Sequence, residues 1–378
     1  MKASELPTPY YIVYEDRLRN NLRLITDVAR RADVEIIMAF KANALWRTFP
    51  IVLEYIDGAT ASSVNELRLA RDGGFRHIHS YTPAYTDANI NDFIAGSSHI
   101  TFNSLGQLMR FGPKTAAAGV SVGLRVNPKC SVIDTDIYNP ATPGSRFGVD
   151  ADDLRAHGLP AWVEGLHFHA LCESDAADLE KVLAAFEEKF GQWLPQLKWV
   201  NFGGGHLMTR EGYDTERLVD ILRRFKERHS NLHVILEPGS AFTWQTGDLI
   251  ASVVDTPAND GIPTAVLDVS FACHMPDTLE MPYLPRVAES VDEGTPNARR
   301  WRLGGNSCLS GDYKGDYFFS VDPKPGDTIT LCDMNHYTTV KTTMFNGVAH
   351  PDIVLACHDG ECIYLRRFSY DDYKHRMS

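Results

Sequence analysis

The sequence predicts an α/β protein: a (β/α)8 barrel followed by a C-terminal β-rich domain. Two observations carry this reading. Between residues 34 and 238, short apolar or β-branched runs alternate with amphipathic helical patterns, the signature of βαβ units and a parallel sheet. After Gly239 the rhythm changes to alternating apolar and polar residues broken by Pro and Gly, and helical patterns nearly vanish.

Barrel strands are expected at 34–40 (VEIIMAF), 58–63 (GATASS), 77–82 (HIHSYT), 99–104 (HITFNS), 120–127 (VSVGLRVN), 163–170 (VEGLHFHA), 198–204 (KWVNFGG) and 233–238 (HVILEP). Helical patterns fall between them at 47–57, 64–73, 86–95, 104–118, 150–157, 174–190 and 214–229, and an extra helix at 15–31 precedes the first strand. Eight strands in ~200 residues favour a closed barrel over an open sheet. The second strand is weak by propensity. Further strands are expected at 248–255, 264–271, 301–303, 316–320, 327–332 and 353–366. An eight-stranded barrel has no place for TPYYIVY at 8–14, so this segment is expected to pair with the second domain. The expected division is 13–242 for the barrel and 243–378, joined by a strand from 1–12, for the β-domain.

Composition narrows the function. Lys and Arg number 37 against 49 Asp and Glu, a net charge of −12, which disfavours nucleic acid or an anionic membrane as partner. The same charge suits a cationic substrate, and equally a protein that is merely soluble. Seven scattered cysteines with no C-x-x-C pair fit a reducing cytoplasm. The N-terminus lacks the pattern of a signal peptide, and no stretch approaches the ~20 apolar residues of a membrane span.

In a barrel of this kind chemistry collects at the C-terminal strand ends. Those positions hold Lys41; Ser62, leading to Glu66; Arg125; His167, His169 and Cys172; Gly203, Gly204 and Gly205; and Glu237, followed by Pro238, Gly239 and Ser240. Lys41 alone reads as a lysine snorkelling to solvent. Among apolar neighbours at a barrel mouth it reads instead as a nucleophile with a depressed pKa, directed at aldehydes, of which pyridoxal 5'-phosphate is the commonest so held. That cofactor also needs backbone N–H groups for its phosphate, which the glycine triplet offers. It needs a charge partner for its ring nitrogen, which Glu237 offers, and a group against its ring face, which His169 offers. Each has a plainer role too: a turn, an ordinary ion pair, a core histidine. His167 and His169 share one strand face, so with Cys172 or His206 they also suit a metal in a barrel hydrolase. A metal leaves Lys41, Glu66 and the glycines without a role, and none is expected.

Seven stretches then occur in order along the whole chain: AFKAN, ASSVNE, HFHALCE, NFGGGH, LEPGSA, GGNSCLSGD and HYTTVKTTMFNG. Together they resemble the pyridoxal-phosphate-dependent decarboxylases of alanine-racemase fold, the group of ornithine and diaminopimelate decarboxylases. GLHFHALCES, HMPDTLEMPY and GGNSCLSGDY are most similar to the branch acting on carboxynorspermidine and carboxyspermidine.

The resemblance implies a role for each position. Lys41 bonds the cofactor aldehyde. Glu66 lies close to the cofactor, His169 stacks on its ring and Arg125 supports the site. Gly203, Gly204 and Gly205 bind phosphate with Tyr337, and Glu237 pairs with the pyridine nitrogen. Cys308 protonates the substrate's α carbon from a second subunit, which implies a homodimer. Where many relatives carry Arg after EPG, Ser240 stands here. Where diaminopimelate decarboxylases carry an arginine before proline, Met281 stands here, which suits a substrate whose far end is an amine. Asp277 and Glu280 are then candidates to hold ammonium groups by charge-assisted hydrogen bonds, or are solvated loop acids. Glu237, His274 and Asp312 are the other expected substrate contacts. The implied substrate is a small carboxylated cationic polyamine. A decarboxylase of a simpler amino acid such as diaminopimelate is the alternative, and a pyridoxal-phosphate carrier of single-barrel form is disfavoured by the long C-terminal domain.

Overall fold

The computed structural model describes residues 1–133, 139–281 and 283–378. The chain forms two units, Asn21–Phe242 and Met1–Asn20 together with Thr243–Ser378.

The first strand, β1 (Tyr10–Tyr14), belongs to the second of these units. The barrel follows as β2 (Glu35–Ile36), β3 (Met38–Ala39), β4 (Gly58–Ala61), β5 (His77–Tyr81), β6 (His99–Phe102), β7 (Ser121–Arg125), β8 (Gly165–His167), β9 (Trp199–Asn201) and β10 (His233–Leu236). Their order in the sheet is β2-β10-β9-β8-β7-β6-β5-β4-β3, and neighbours are parallel. The expected first strand at 34–40 is thus in two pieces. Its lower piece pairs with β10 and its upper piece with β4, because tilted, staggered strands present different neighbours at different heights. The barrel is a (β/α)8 barrel closed through that split strand. The weak GATA segment is β4, held on both sides by its neighbours rather than by its own propensity.

The helices between strands begin where a polar side chain caps them. Ser63, Ser104, Asp150, Asp175 and Asp214 each accept the N–H three residues on, starting the helices Val64–Gly73, Leu105–Ala117, Ala151–His157, Ala176–Phe190 and Thr215–Arg228. The expected helix at 47–57 shrinks to a 3-10 turn and one short helix, Phe49–Val52. The helix expected from residue 86 starts at Ile90, because Asn89 Oδ1 accepts the Thr86 N–H (2.8 Å) and holds a turn there.

At its N-terminal end the barrel is plugged by Trp199, packed with Ile37 and Ile235. A Cβ on Gly165 would stand 2.1 Å from the Trp199 indole, and one on Gly123 2.4 Å from it, so both positions admit only glycine beside this ring.

The β-rich unit holds β1 and β11 (Gly247–Asp255), β12 (Ala258–Asn259), β13 (Ile262–Leu267), β14 (Arg299–Gly304), β15 (Tyr313–Phe319), β16 (Thr328–Leu331), β17 (Asp352–Ala356) and β18 (Cys362–Arg366). As expected from its sequence, β1 pairs here: antiparallel with β11 and parallel with β17. The single run expected at 353–366 is a hairpin. Gly360 at φ +81° and the Cys357–Glu361 backbone bond (2.7 Å) turn the chain between β17 and β18. The strand expected to reach residue 271 stops at Leu267, because Ser270 caps the short helix Phe271–His274. A C-terminal helix, Tyr370–Met377, was not expected. Among the described residues no helix is long and apolar enough to cross a membrane.

Candidate active site

A cavity of about 730 Å³ opens at the C-terminal end of the barrel, walled by Lys41, Ser62, Tyr81, Arg125, Phe147 and His169 among others. Lys41 stands two residues past the end of β3, after buried Phe40, and reaches accessible space from a site ringed by buried residues. Loss of water around it lowers its pKa below the usual lysine value. Arg125 pushes the same way, and Glu237, Cys172 and Glu66 oppose.

Glu237, just past β10, is buried. Its Oε2 accepts from Asn201 Nδ2 (3.2 Å), and Oε1 lies 3.2 Å from His167 Nε2. Burial works to raise its pKa, but His167, Lys41 and His79 together outweigh this and hold the carboxyl ionised, at about 2. Burial lowers the His167 pKa, and Glu237 pulls it the other way. Glu66 accepts the Ser62 N–H through Oε2 (2.6 Å). Burial raises its pKa, while that hydrogen bond and Lys41 lower it.

The glycine triplet does something the sequence does not announce. Gly203 donates to Asn201 Oδ1 (2.7 Å) and Gly204 to His169 Nδ1 (2.8 Å). Two of the N–H groups expected at a phosphate are therefore spent on aligning neighbouring side chains, and the Gly205 N–H carries no bond among the described residues. Gly203 and Gly205 have φ of +72° and +92°, and a Cβ on either would stand within 2.5 Å of the backbone beneath. Asn201 was missed in the sequence reading, although it opens the NFGGGH stretch.

The metal alternative finds no support in this geometry. His169 Nδ1 and His167 Nε2 are both directed at other groups, and no cluster of three or more His, Cys, Asp or Glu among the described residues is placed to hold a metal. His206 is fully buried with a pKa lowered by burial to about 4. Ser240 Oγ donates to Glu173 Oε1 at 3.4 Å.

In the β-rich unit, Cys308 is exposed on the loop after β14, its N–H donating to Asn346 Oδ1 (2.7 Å). Asp312, one of the expected substrate contacts, is buried and is the hub of that loop. It accepts from Ser270 Oγ (3.1 Å), Ala272 N–H (2.9 Å), Ser307 N–H (3.1 Å) and Ser307 Oγ (2.7 Å). His274 has no exposed surface. Its Nδ1 accepts from Ser270 N–H (3.1 Å), and burial with His350 nearby lowers its pKa to about 3. Tyr337 adopts φ +51°. Asp277 and Glu280 are not bare: the Lys341 ammonium sits between them, 2.7 Å from Asp277 Oδ1 and bonded to Glu280 Oε2. In the LEMPYLP stretch, Pro282 lies outside the described residues.

No protein-family model matches the chain. It is 44% identical over 376 residues to the carboxyaminopropylagmatine decarboxylase of Synechocystis sp., covering 100% of this chain and 97% of that protein. It is 42% identical over 386 residues to the carboxynorspermidine/carboxyspermidine decarboxylase of Campylobacter jejuni, covering 100% of both. The crystal structure of the carboxynorspermidine decarboxylase of that organism, complexed with norspermidine, superposes with a TM-score of 0.90 at 40% identity, over 98% of this chain and 100% of that one. The hydrolase alternative is thereby set aside. With its barrel, its strand-end lysine and full-length identity of this order, the chain belongs to the carboxynorspermidine/carboxyspermidine decarboxylase family.

Proposed function

We propose that this chain decarboxylates carboxynorspermidine, carboxyspermidine or both, with pyridoxal 5'-phosphate as cofactor. The observation that carries the reading is Lys41: an accessible amine with a lowered pKa at the mouth of the cavity, under the influence of the buried, ionised Glu237.

The residues present fit the cofactor. The lowered pKa of Lys41 enlarges its uncharged, nucleophilic fraction, which suits an amine that must bond an aldehyde. Glu237 supplies a fixed negative charge for a protonated ring nitrogen. His169, with Nδ1 tied to Gly204, presents a rigid ring for stacking. Glu66 stands within electrostatic reach of Lys41, and Arg125 supports it. For the phosphate the free Gly205 N–H is the first candidate. Gly203 and Gly204 shape that loop, and the family resemblance adds Tyr337. When bound, the cofactor accepts the electron pair released as carbon dioxide leaves.

The chain's own groups complete the reaction. The Cys308 thiol delivers a proton to the substrate's α carbon from the partner copy of a homodimer, and Asp312 holds the loop that carries it. Asp277, Glu280 and Lys341 together keep one net negative charge, which suits a cationic far end. Met281 offers nothing to a second carboxylate, which argues against diaminopimelate. All seven cysteines are free, in keeping with a reducing cytoplasm. A second reading comes from the Synechocystis relative: a substrate whose far end is a guanidinium instead of an ammonium.

The test is carbon dioxide release measured side by side on carboxynorspermidine, carboxyspermidine, carboxyaminopropylagmatine and diaminopimelate, with borohydride trapping and peptide mapping of the cofactor. Release from either of the first two, with the label on Lys41, is expected. Preference for the third substrate selects the second reading, and an unlabelled Lys41 sinks both. Cys308→Ala should keep the bound-cofactor absorbance and lose most turnover to amine, and sedimentation should report a dimer.

A further inference from the structure

One side-chain amide anchors both walls around Arg125. The guanidinium lies between two aromatic faces, its central carbon 4.7 Å from the Tyr81 ring centroid and 4.5 Å from that of Phe147. Its Nη2 reaches the His169 carbonyl at 3.4 Å. Tyr81 ends β5, whereas Phe147 lies on the long loop between β7 and β8, and nothing in their local sequence makes them face each other. Asn103, buried immediately after β6, joins them. Its Oδ1 accepts from the Tyr81 hydroxyl (2.8 Å) and from the Gly148 N–H (3.0 Å), and its Nδ2 donates to the Arg146 carbonyl (2.7 Å). The backbone on each side of Phe147 therefore hangs on the same amide that fixes Tyr81.

We infer that Asn103 is a positioning residue: by fixing Tyr81 and the backbone flanking Phe147, it sets where the Arg125 guanidinium stands relative to Lys41. A cation held between ring faces is attracted by their quadrupoles but not neutralised, so its field still reaches its neighbours. At Lys41 that field favours the uncharged amine, and Glu237, Cys172 and Glu66 act against it. If the walls loosen, the guanidinium swings towards solvent and the amine regains basicity. The inference rests on Lys41 being the reactive amine of the proposed function. It assigns work to Tyr81, Asn103 and Phe147 that the cofactor contacts do not include.

The test reads the amine directly. In cofactor-free protein, the rate at which an amine-specific acylating reagent labels Lys41 is followed against pH, with the site confirmed by peptide mapping. Asn103→Ala should raise the midpoint by about half a pH unit. Phe147→Leu removes one wall without touching Asn103 and should move the midpoint the same way, and Tyr81→Phe, which deletes one hydroxyl, should move it less. Thermal melts identify which variants are folded. If folded Asn103→Ala keeps the parent midpoint, or if folded Phe147→Leu and Tyr81→Phe both keep it, the inference is overturned. A parent enzyme that releases no carbon dioxide from any substrate of the panel would sink the proposed function and leave this midpoint measurement intact.

Discussion

The Gly204 amide donates to His169 Nδ1 across 2.8 Å, which fixes the imidazole in its Nε2–H form. Burial and the nearby Lys41 hold its pKa well below 6.5. A Cβ at Gly204 would stand 2.5 Å from the Glu237 carbonyl, so Gly204→Ala must push the loop away from β10 and break the tie to His169. Turnover is expected to fall about 100-fold, the cost of displacing aligned groups by about an ångström. Kinetics measured on protein whose circular dichroism is unchanged check this.

If the acidic pair Asp277 and Glu280 meets the substrate, as proposed, Lys341 should tune its affinity. Its ammonium is shared between Asp277 and Glu280, and those hydrogen bonds raise its pKa against a desolvation that lowers it. Lys341→Met removes a positive charge that competes with a cationic substrate, so KM should drop about fivefold at low salt, with kcat little changed. The difference should shrink as salt is raised. A KM that rises or stays constant across the salt series would show that this acidic pair does not meet the substrate.

Acid should destabilise the fold through its histidines. His79 and His99 stack with centroids 3.9 Å apart beside Trp199. Burial lowers their pKa values to about 3 and about 4, with each other's charge or that of His233 adding to it and Glu35 opposing. The folded values lie below the unfolded 6.5, so the folded state binds fewer protons. The stability is complete above pH 6.5 and is lost as pH falls from there towards 4 and 3. For fully buried His79 the loss is at most about 1.4 kcal/mol per pH unit. Urea midpoints at pH 7 and pH 5 should differ, and less so in His79→Gln.

Gly165→Ala should destabilise the barrel by about 1–3 kcal/mol, since its methyl would enter the space of the Trp199 indole. Adding Trp199→Leu should recover part of that loss, although it also removes the indole N–H bond to Ser121 Oγ (2.9 Å). Thermal unfolding of the single and double variants decides it. Additive losses would mean that the two positions do not contend for one volume.

Much of the fold was legible because it is locally encoded. The alternation of β-runs and helical patterns between residues 34 and 238 matches β2 to β10 closely, and the N-cap serines and aspartates mark where helices start. Errors arose where a local pattern meets a partner from elsewhere. VEIIMAF reads as one strand but divides between β10 and β4, and 353–366 reads as one run although its Asp359–Gly360 pair is a hairpin signal.

The sequence by itself determined the barrel, the pairing of the N-terminal strand with the β-rich unit, and the kinds of group at each strand end, because hydrophobic period and strand position are properties of a dozen neighbouring residues. Tertiary structure decided how those groups are spent: Asp312 on the Cys308 loop, Lys341 between Asp277 and Glu280, Gly204 on His169, and Asn103 on both walls of Arg125. The physical reason is that a buried polar atom must find a partner, and which partner it finds depends on segments brought together across tens of residues of chain.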